Sequence, residues 1–83
     1  MRIVLRYAQI EGGNFMQNYG KRLKQARTNK GYTQVEIANK LSIPQQTWQR
    51  YETGKFDLKM STIYNICKAL DISADWLLGL DEE

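Results

Sequence analysis

Apolar side chains begin to recur at helical spacing near Tyr19. Four positions spaced i, i+4, i+7 and i+8 define one face of a first helix: Tyr19, Leu23, Ala26 and Arg27. We predict this helix from about Gln17 to Asn29, because Gly31 is a typical residue for the C-terminal end of a helix.

A second helix is predicted to begin after Thr33. Thr33 and Glu36 have the spacing of a capping box. In such a box the Thr hydroxyl accepts from the third helical amide, and the Glu carboxylate accepts from the backbone amide of the Thr. The inward positions of this helix are Ile37, Ala38 and Leu41. The helix should end near Leu41, since Ser42 and the residue before Pro44 disfavour helical geometry.

A third helix is predicted from Pro44 or Gln45 to about Thr53, with Gly54 at its end. A connecting loop follows. A fourth helix then carries apolar residues on one face: Met60, Ile63, Ile66, Cys67 and Leu70. Ser73 caps a short fifth helix that ends at about Leu78. The fold class predicted for this body is all-α.

The first ten residues have a different pattern. Ile3, Leu5 and Tyr7 alternate with their neighbours as in a β-strand, although a frayed terminus fits such a short pattern equally well. Residues 11–14 are expected to form a hinge, because they include two glycines. We therefore expect an N-terminal extension over residues 1–16, a helical domain over 17–80 and an acidic tail over 81–83.

Composition excludes several chemistries. The 83 residues suit one small domain and include no His and a single Cys, Cys67. Without these ligands and bases we expect no metal site, no cofactor, no disulfide and no enzymatic activity. The N-terminal apolar run ends at Arg6, too early for a signal peptide or a membrane span. The expected location is the cytoplasm, at the nucleoid, without a membrane partner.

Charge favours a polyanionic partner. Twelve Lys and Arg against nine Asp and Glu give a net charge of +3. Three of the acids lie in the tail, so the rest of the chain has twelve basic against six acidic residues, or +6. Such a balance suits nucleic acid but does not identify it.

The predicted third helix has two chemically different faces. Its polar face holds Gln45, Gln46, Gln49 and Arg50. Its other face holds Thr47, Trp48 and Tyr51, whose aromatic rings can bury area against the second helix. A glutamine amide can form two hydrogen bonds with adenine, and an arginine guanidinium can form two with guanine. Because this helix follows another after a short turn, we interpret the polar face as base-reading rather than as a merely solvated surface.

Groups suited to phosphate lie on either side of this helix in the sequence. They are Thr33, Gln34, Thr53, Lys55 and Lys59. The first helix adds five cations without an intervening acid: Lys21, Arg22, Lys24, Arg27 and Lys30. We interpret these cations as solvated charge, with the exception of Arg27.

Four segments of the sequence together form a specific set of motifs. They read GKRLKQAR at 20–27, KGYTQ at 30–34, WQRYETGK at 48–55 and ALDISADWLL at 69–78. With Ile37, Ala38 and Leu41 between them, they resemble the lambdoid phage repressor and Cro-like (XRE-type) helix-turn-helix proteins. The resemblance covers about residues 19–80. It implies a five-helix lambda-repressor-like DNA-binding domain whose third helix enters the major groove.

The resemblance also implies roles for individual residues. Gln45 and Gln46 look like the base-reading pair, and Gln34 like a phosphate contact. Arg27 and Glu52 would form an ion pair that organises the site near the DNA boundary.

The family binds double-stranded DNA as a homodimer joined partly through the last helix. The candidate interface residues are accordingly Trp76 and Leu80. The chain departs from the family pattern at Pro44, Trp48 and Thr53, which affects the operator sequence and the tilt of the third helix.

The function expected from these features is sequence-specific regulation of transcription by a phage, prophage or plasmid type of repressor. We expect no small-molecule effector, because the chain has no room for an effector domain. Two alternatives stay open: an antitoxin, and a protein-interaction module that uses the same helices without reading DNA.

Overall fold

The computed structural model describes residues 14–54 and 58–80, with side chains from Tyr19 onward. The predicted N-terminal strand, the acidic tail and Lys55 lie outside the described residues. Five helices make up the described chain: α1 (Asn14–Asn29), α2 (Gln34–Leu41), α3 (Gln45–Thr53), α4 (Met60–Leu70) and α5 (Ala74–Leu78). No strand occurs within these ranges, so the all-α prediction is confirmed.

The start of α1 differs from the prediction. The helix begins at Asn14, three residues before Gln17 and at the last residue of the expected hinge. Residues 14–18 contain neither Gly nor Pro, so nothing in this stretch opposes helical geometry.

Caps and left-handed residues determine where the helices begin and end. The Glu36 amide donates to Thr33 Oγ1 over 3.0 Å, and the Thr33 amide donates to Glu36 Oε1 over 2.8 Å, which completes the predicted capping box. Ser42 ends α2 in the left-handed region at φ 59°. The turn to α3 is therefore only the three residues from Ser42 to Pro44, which fixes α2 and α3 closely together.

The core lies where all five helices meet. Its largest fully buried side chains are Leu23, Ile37, Trp48, Ile66, Leu70 and Leu77. Each contributes about 1.5–3 kcal/mol through removal of apolar surface from water. Trp48 is 0% exposed, which confirms the prediction that the aromatic face of α3 packs inward.

One residue of the predicted apolar face of α4 is not buried. Met60 is 82% exposed, although its spacing matches the apolar face of α4. It is the first residue of that helix, so no earlier turn of α4 lies beside it. Periodicity therefore assigns Met60 to a face but overestimates its burial.

Gly20 allows the backbone of α1 to lie close to the backbone of α3. A Cβ atom at this position would lie 2.4 Å from the carbonyl oxygen of Glu52 and 2.9 Å from the amide nitrogen of Gly54. Only a residue without a side chain permits this backbone contact. The contact brings Arg27, two turns further along α1, beside the C-terminal half of α3.

None of the helices within the described ranges combines the length and the apolarity that crossing a membrane requires.

Candidate nucleic-acid interface

The polar face of α3 is exposed along its length. Gln45, Gln46, Gln49 and Arg50 are all exposed, whereas Trp48 is buried and Tyr51 is half-buried. The rings of Trp48 and Tyr51 meet edge to face, with centroids 6.0 Å apart, and hold the inner side of the helix in the core. The same helix therefore carries core residues on one side and hydrogen-bonding groups on the other.

An open groove of about 650 Å³ runs beside this face. Seven residues from three helices line it: Lys24, Gln34, Gln46, Gln49, Arg50, Glu52 and Thr53. Its walls are polar and carry both signs of charge. The groove thus collects side chains that are far apart in sequence into one hydrogen-bonding surface.

The groove unites several residues that the sequence assigns to two different roles. Gln46, Gln49 and Arg50, interpreted as base readers, share it with the expected phosphate contacts Gln34 and Thr53. Their roles toward DNA stay predictions. Thr53 has a local partner, since its hydroxyl donates to the Arg50 carbonyl over 2.6 Å.

The remaining expected contacts have different positions. Gln45 and Thr33 are exposed at the N-terminal ends of α3 and α2. Lys59 is exposed immediately before α4. Lys55, as noted, is not among the described residues.

Arg27 and Glu52 form a close ion pair. Arg27 Nε lies 2.6 Å from Glu52 Oε2, and the two side chains are only 11% and 7% exposed. Arg27 Nη1 also donates to the Tyr32 carbonyl over 3.0 Å. Because desolvation offsets much of the attraction between buried charges, the pair positions α1 against α3 more than it adds net stability.

Glu52 receives hydrogen bonds from two further side chains. Trp48 Nε1 donates to Oε2 over 2.5 Å, and Gln34 Nε2 donates to Oε1 over 3.0 Å. Burial is the largest single influence on Glu52 and raises its pKa. The donors Arg27, Gln34 and Trp48 together outweigh burial and hold the pKa below its ordinary value of 4.5. Glu52 is therefore an ionised acceptor at neutral pH.

The network extends from Glu52 to the exposed face of α3. Gln34 Oε1 accepts from Gln49 Nε2 over 3.4 Å. Gln34 is half-buried and Gln49 is exposed, so the chain of contacts runs from the core side of α3 to its polar face.

Two features of the groove escaped the sequence analysis. Lys24, interpreted as solvated charge, lines the groove with the polar face of α3. The hydrogen bond from Trp48 to Glu52, which also lines the groove, is the second. The i, i+4 spacing of Trp48 and Glu52 on one helix was the available signal for their contact.

The candidate dimer residues lie on another surface. Trp76 and Leu80 are half-buried. Arg22 lies over the Trp76 ring, 5.3 Å from its centroid, and also donates to the Trp76 carbonyl. Trp76 thus lies at the edge of the core, while its part in a dimer stays a prediction.

Within the described residues, no group of three or more carboxylates and thiols is arranged to hold a metal ion.

Comparison with known proteins identifies the fold family. A family model described as a helix-turn-helix domain matches residues 20–83. The HTH-type transcriptional regulator ImmR of Bacillus subtilis (strain 168) is 43% identical over 63 residues, which are 76% of this chain and 50% of that protein. A SPbeta prophage-derived HTH-type transcriptional regulator, YonR, of the same organism is 40% identical over 60 residues, 72% of this chain and 56% of that protein.

A third relative, the HTH-type transcriptional regulator YqaE of the same strain, is 37% identical over 60 residues, 72% of this chain and 52% of that protein. The chain spans about half the length of the curated relatives it matches. The order of the helices, the short turn between α2 and α3 and the match over residues 20–83 agree: the chain belongs to the helix-turn-helix domain family, in its phage-repressor and Cro-like branch.

Proposed function

We propose that this chain binds double-stranded DNA in a sequence-specific manner and regulates transcription as a prophage-type repressor. One observation carries the proposal: α3 exposes three glutamines and an arginine while its opposite side is anchored by the fully buried Trp48. An anchored helix presents these groups at a constant tilt, which base recognition requires.

The dimensions of α3 suit the major groove. An α-helix with its side chains is about 10–12 Å in diameter, and the major groove is about 12 Å wide. The exposed amides can each donate and accept, which matches the paired donor and acceptor on adenine. Arg50 can contact guanine or phosphate. An apolar exposed face would instead favour a protein-interaction module, and α3 lacks such a face.

The surroundings of α3 suit the sugar-phosphate backbone. The N-terminus of α2, with Thr33 and Gln34, carries the partial positive charge of the helix dipole. Lys24, Thr53 and Lys59 supply further donors. These contacts would set the register of the protein on DNA without reading the sequence.

The names of the relatives support the regulatory part of the proposal. Those relatives are called transcriptional regulators, and one is called prophage-derived. A repressor without an enzymatic step acts by occupying its operator. We further propose a homodimer through the surface of Trp76 and Leu80, which would engage two half-sites about 34 Å apart on one face of the duplex.

A selection from random duplex oligonucleotides tests the proposal. A dimeric repressor enriches a palindromic site, and a monomeric reader enriches a single half-site. Gln45→Ala should then weaken binding to the enriched site by about 1–3 kcal/mol and relax selectivity at one base pair. Failure to enrich any sequence would overturn the proposal and favour the protein-interaction alternative.

A further inference from the structure

The hydrogen bonds that run from Glu52 through Gln34 to Gln49 require one particular orientation of the two amides. An ionised carboxylate accepts hydrogen bonds and cannot donate them. Glu52 Oε1 therefore requires the NH₂ end of the Gln34 amide, which lies 3.0 Å away. Once the nitrogen of Gln34 faces Glu52, the oxygen of the same amide faces the opposite side.

That oxygen determines the orientation of the next amide. Gln34 Oε1 can only accept, so it requires the NH₂ end of Gln49, at 3.4 Å. The reversed orientation of Gln49 would place two oxygens against each other. The reversed orientation of both glutamines would place the Gln34 oxygen against the Glu52 carboxylate.

Trp48 and Arg27 keep the starting point of this chain in place. Both donate to Glu52 Oε2, at 2.5 Å and 2.6 Å, and both side chains are almost completely buried. The carboxylate therefore cannot rotate without breaking contacts inside the core. Because the Glu52 carboxylate is held in place, it determines which end of the Gln34 amide faces it. The Gln34 amide in turn determines which end of the Gln49 amide faces Gln34.

We propose that Gln49 is a specificity-determining residue whose amide polarity is set by the relay Glu52–Gln34–Gln49. The relay turns the Gln49 nitrogen toward Gln34, where one of its two hydrogens is engaged, and leaves the Gln49 oxygen as the group that faces the base edge. In the major groove, adenine N6 and cytosine N4 are donors, whereas thymine O4 and guanine O6 are acceptors. Gln49 therefore selects adenine or cytosine over thymine or guanine on the strand that it faces.

This inference rests on the proposed function, since it assigns a role to Gln49 within DNA recognition. It separates Gln49 from Gln45 and Gln46, which lie on the same exposed face outside the relay. It also makes Gln34 a positioning residue for Gln49 in addition to its expected phosphate contact.

Binding measurements on duplexes carrying the enriched site test the selectivity. Gln49→Ala identifies the base pair that Gln49 reads. Four duplexes are then compared that differ only at that base pair. The wild-type protein should bind the two duplexes with an amino base (adenine or cytosine) on the strand that Gln49 faces at least about fivefold more tightly than the two with a keto base (thymine or guanine). Preference for keto bases, or grouping by purine against pyrimidine, would overturn the proposal.

The variant Gln34→Met tests the relay itself. Loss of a phosphate contact alone weakens all four duplexes by the same factor. Loss of the relay also reduces the amino-to-keto ratio at the Gln49 pair toward one, because the Gln49 amide is then free to turn. An unchanged ratio would overturn the proposal. Gln46→Ala is the matched control, which should alter its own base pair and leave the ratio at the Gln49 pair unchanged.

Side-chain NMR of the free protein distinguishes failure of the relay from failure of DNA binding. In ¹⁵N spectra, the NH₂ resonances of Gln34 and Gln49 should both shift in Glu52→Gln, and the Gln49 resonance should shift in Gln34→Met. Unaltered Gln49 resonances in both variants would overturn the relay. Shifted resonances without any sequence-dependent binding would instead overturn the proposed function, and with it the role of Gln49 as a reader.

Discussion

The indole nitrogen of Trp48 lies 2.5 Å from Glu52 Oε2, one turn further along the same helix. The indole ring is fully buried, whereas Glu52 lines the groove beside the polar face of α3. A core side chain thereby contacts a charged group at the candidate interface directly. The stability of the fold and the geometry of the interface should consequently respond together to changes at Trp48.

Trp48→Phe should destabilise the protein at neutral pH. Phenylalanine keeps an aromatic ring in the core but removes the donor to an ionised carboxylate and leaves part of the indole volume empty. The expected loss is about 2 kcal/mol or more in the free energy of unfolding, measured by urea denaturation.

The pH dependence separates the two contributions to this loss. The empty volume costs the same at every pH, whereas a hydrogen bond to Glu52 weakens when the carboxyl is protonated. The difference between wild type and Trp48→Phe should therefore be smaller at about pH 3 than at about pH 7. An equal difference at both values would show that packing alone accounts for the effect.

Glu52 should make the stability of the wild-type protein depend on pH in acid. Its pKa in the folded protein lies below the ordinary value of 4.5, because its donors outweigh burial. The folded state consequently holds the proton less tightly than the unfolded state. The stabilisation is fully present above about pH 4.5 and is lost as the pH falls through the folded pKa.

Glu52→Gln isolates this contribution. At neutral pH the variant should be less stable by about 3 kcal/mol, because it leaves the guanidinium of Arg27 buried without a counter-charge. Urea denaturation from about pH 7 to about pH 3 should show the curves of wild type and variant converging below pH 4.5. Curves that stay parallel throughout would contradict the assignment of the acid sensitivity to Glu52.

Local sequence signals were sufficient to predict most of the fold. The capping box at Thr33, the short turn before Pro44 and the glycine after Thr53 each act within a few residues, and the helix boundaries depend on such local terms. Met60 shows where these signals fail. Its spacing fits the buried face, but burial depends on which neighbours reach the end of α4, and that is decided by tertiary packing.

Most members of the candidate site were predictable, with Lys24 as the exception, but most of the connections between them were not. Helical spacing is sufficient to place Gln49 and Trp48 on different faces of α3. The resemblance to phage repressors is sufficient to pair Arg27 with Glu52. The contact of Gln34 with both Glu52 and Gln49 joins α2 to α3 across the turn. Its geometry depends on the crossing of two helices, which periodicity does not specify.

Gly20→Ala should destabilise the protein although it replaces glycine in the middle of a helix. Helix propensity alone favours alanine there by about 1 kcal/mol. The added Cβ would lie 2.4 Å from the Glu52 carbonyl oxygen, so backbone atoms of α1 and α3 must move apart. We expect a net loss of about 1–3 kcal/mol in urea denaturation.

Lys21→Ala provides the comparison within the same helix. Lys21 is exposed, so its replacement should change the stability by no more than about 0.5 kcal/mol. A Gly20→Ala protein more stable than wild type would mean that α1 and α3 do not approach each other at this residue.

Lys24→Ala should reveal a phosphate contact by its salt dependence. Lys24 lines the groove between α1 and the polar face of α3, where its ammonium group can approach the DNA backbone. Its removal should weaken binding to all sequences alike and reduce the slope of log K against log salt by about one. The control is Lys68→Ala on α4, where the lysine is exposed and contacts the ring of Tyr64, 5.4 Å from its centroid. Lys68→Ala should leave the slope unchanged. If Lys24→Ala instead altered the preference among bases and kept the salt slope, Lys24 would have to contact a base edge rather than phosphate.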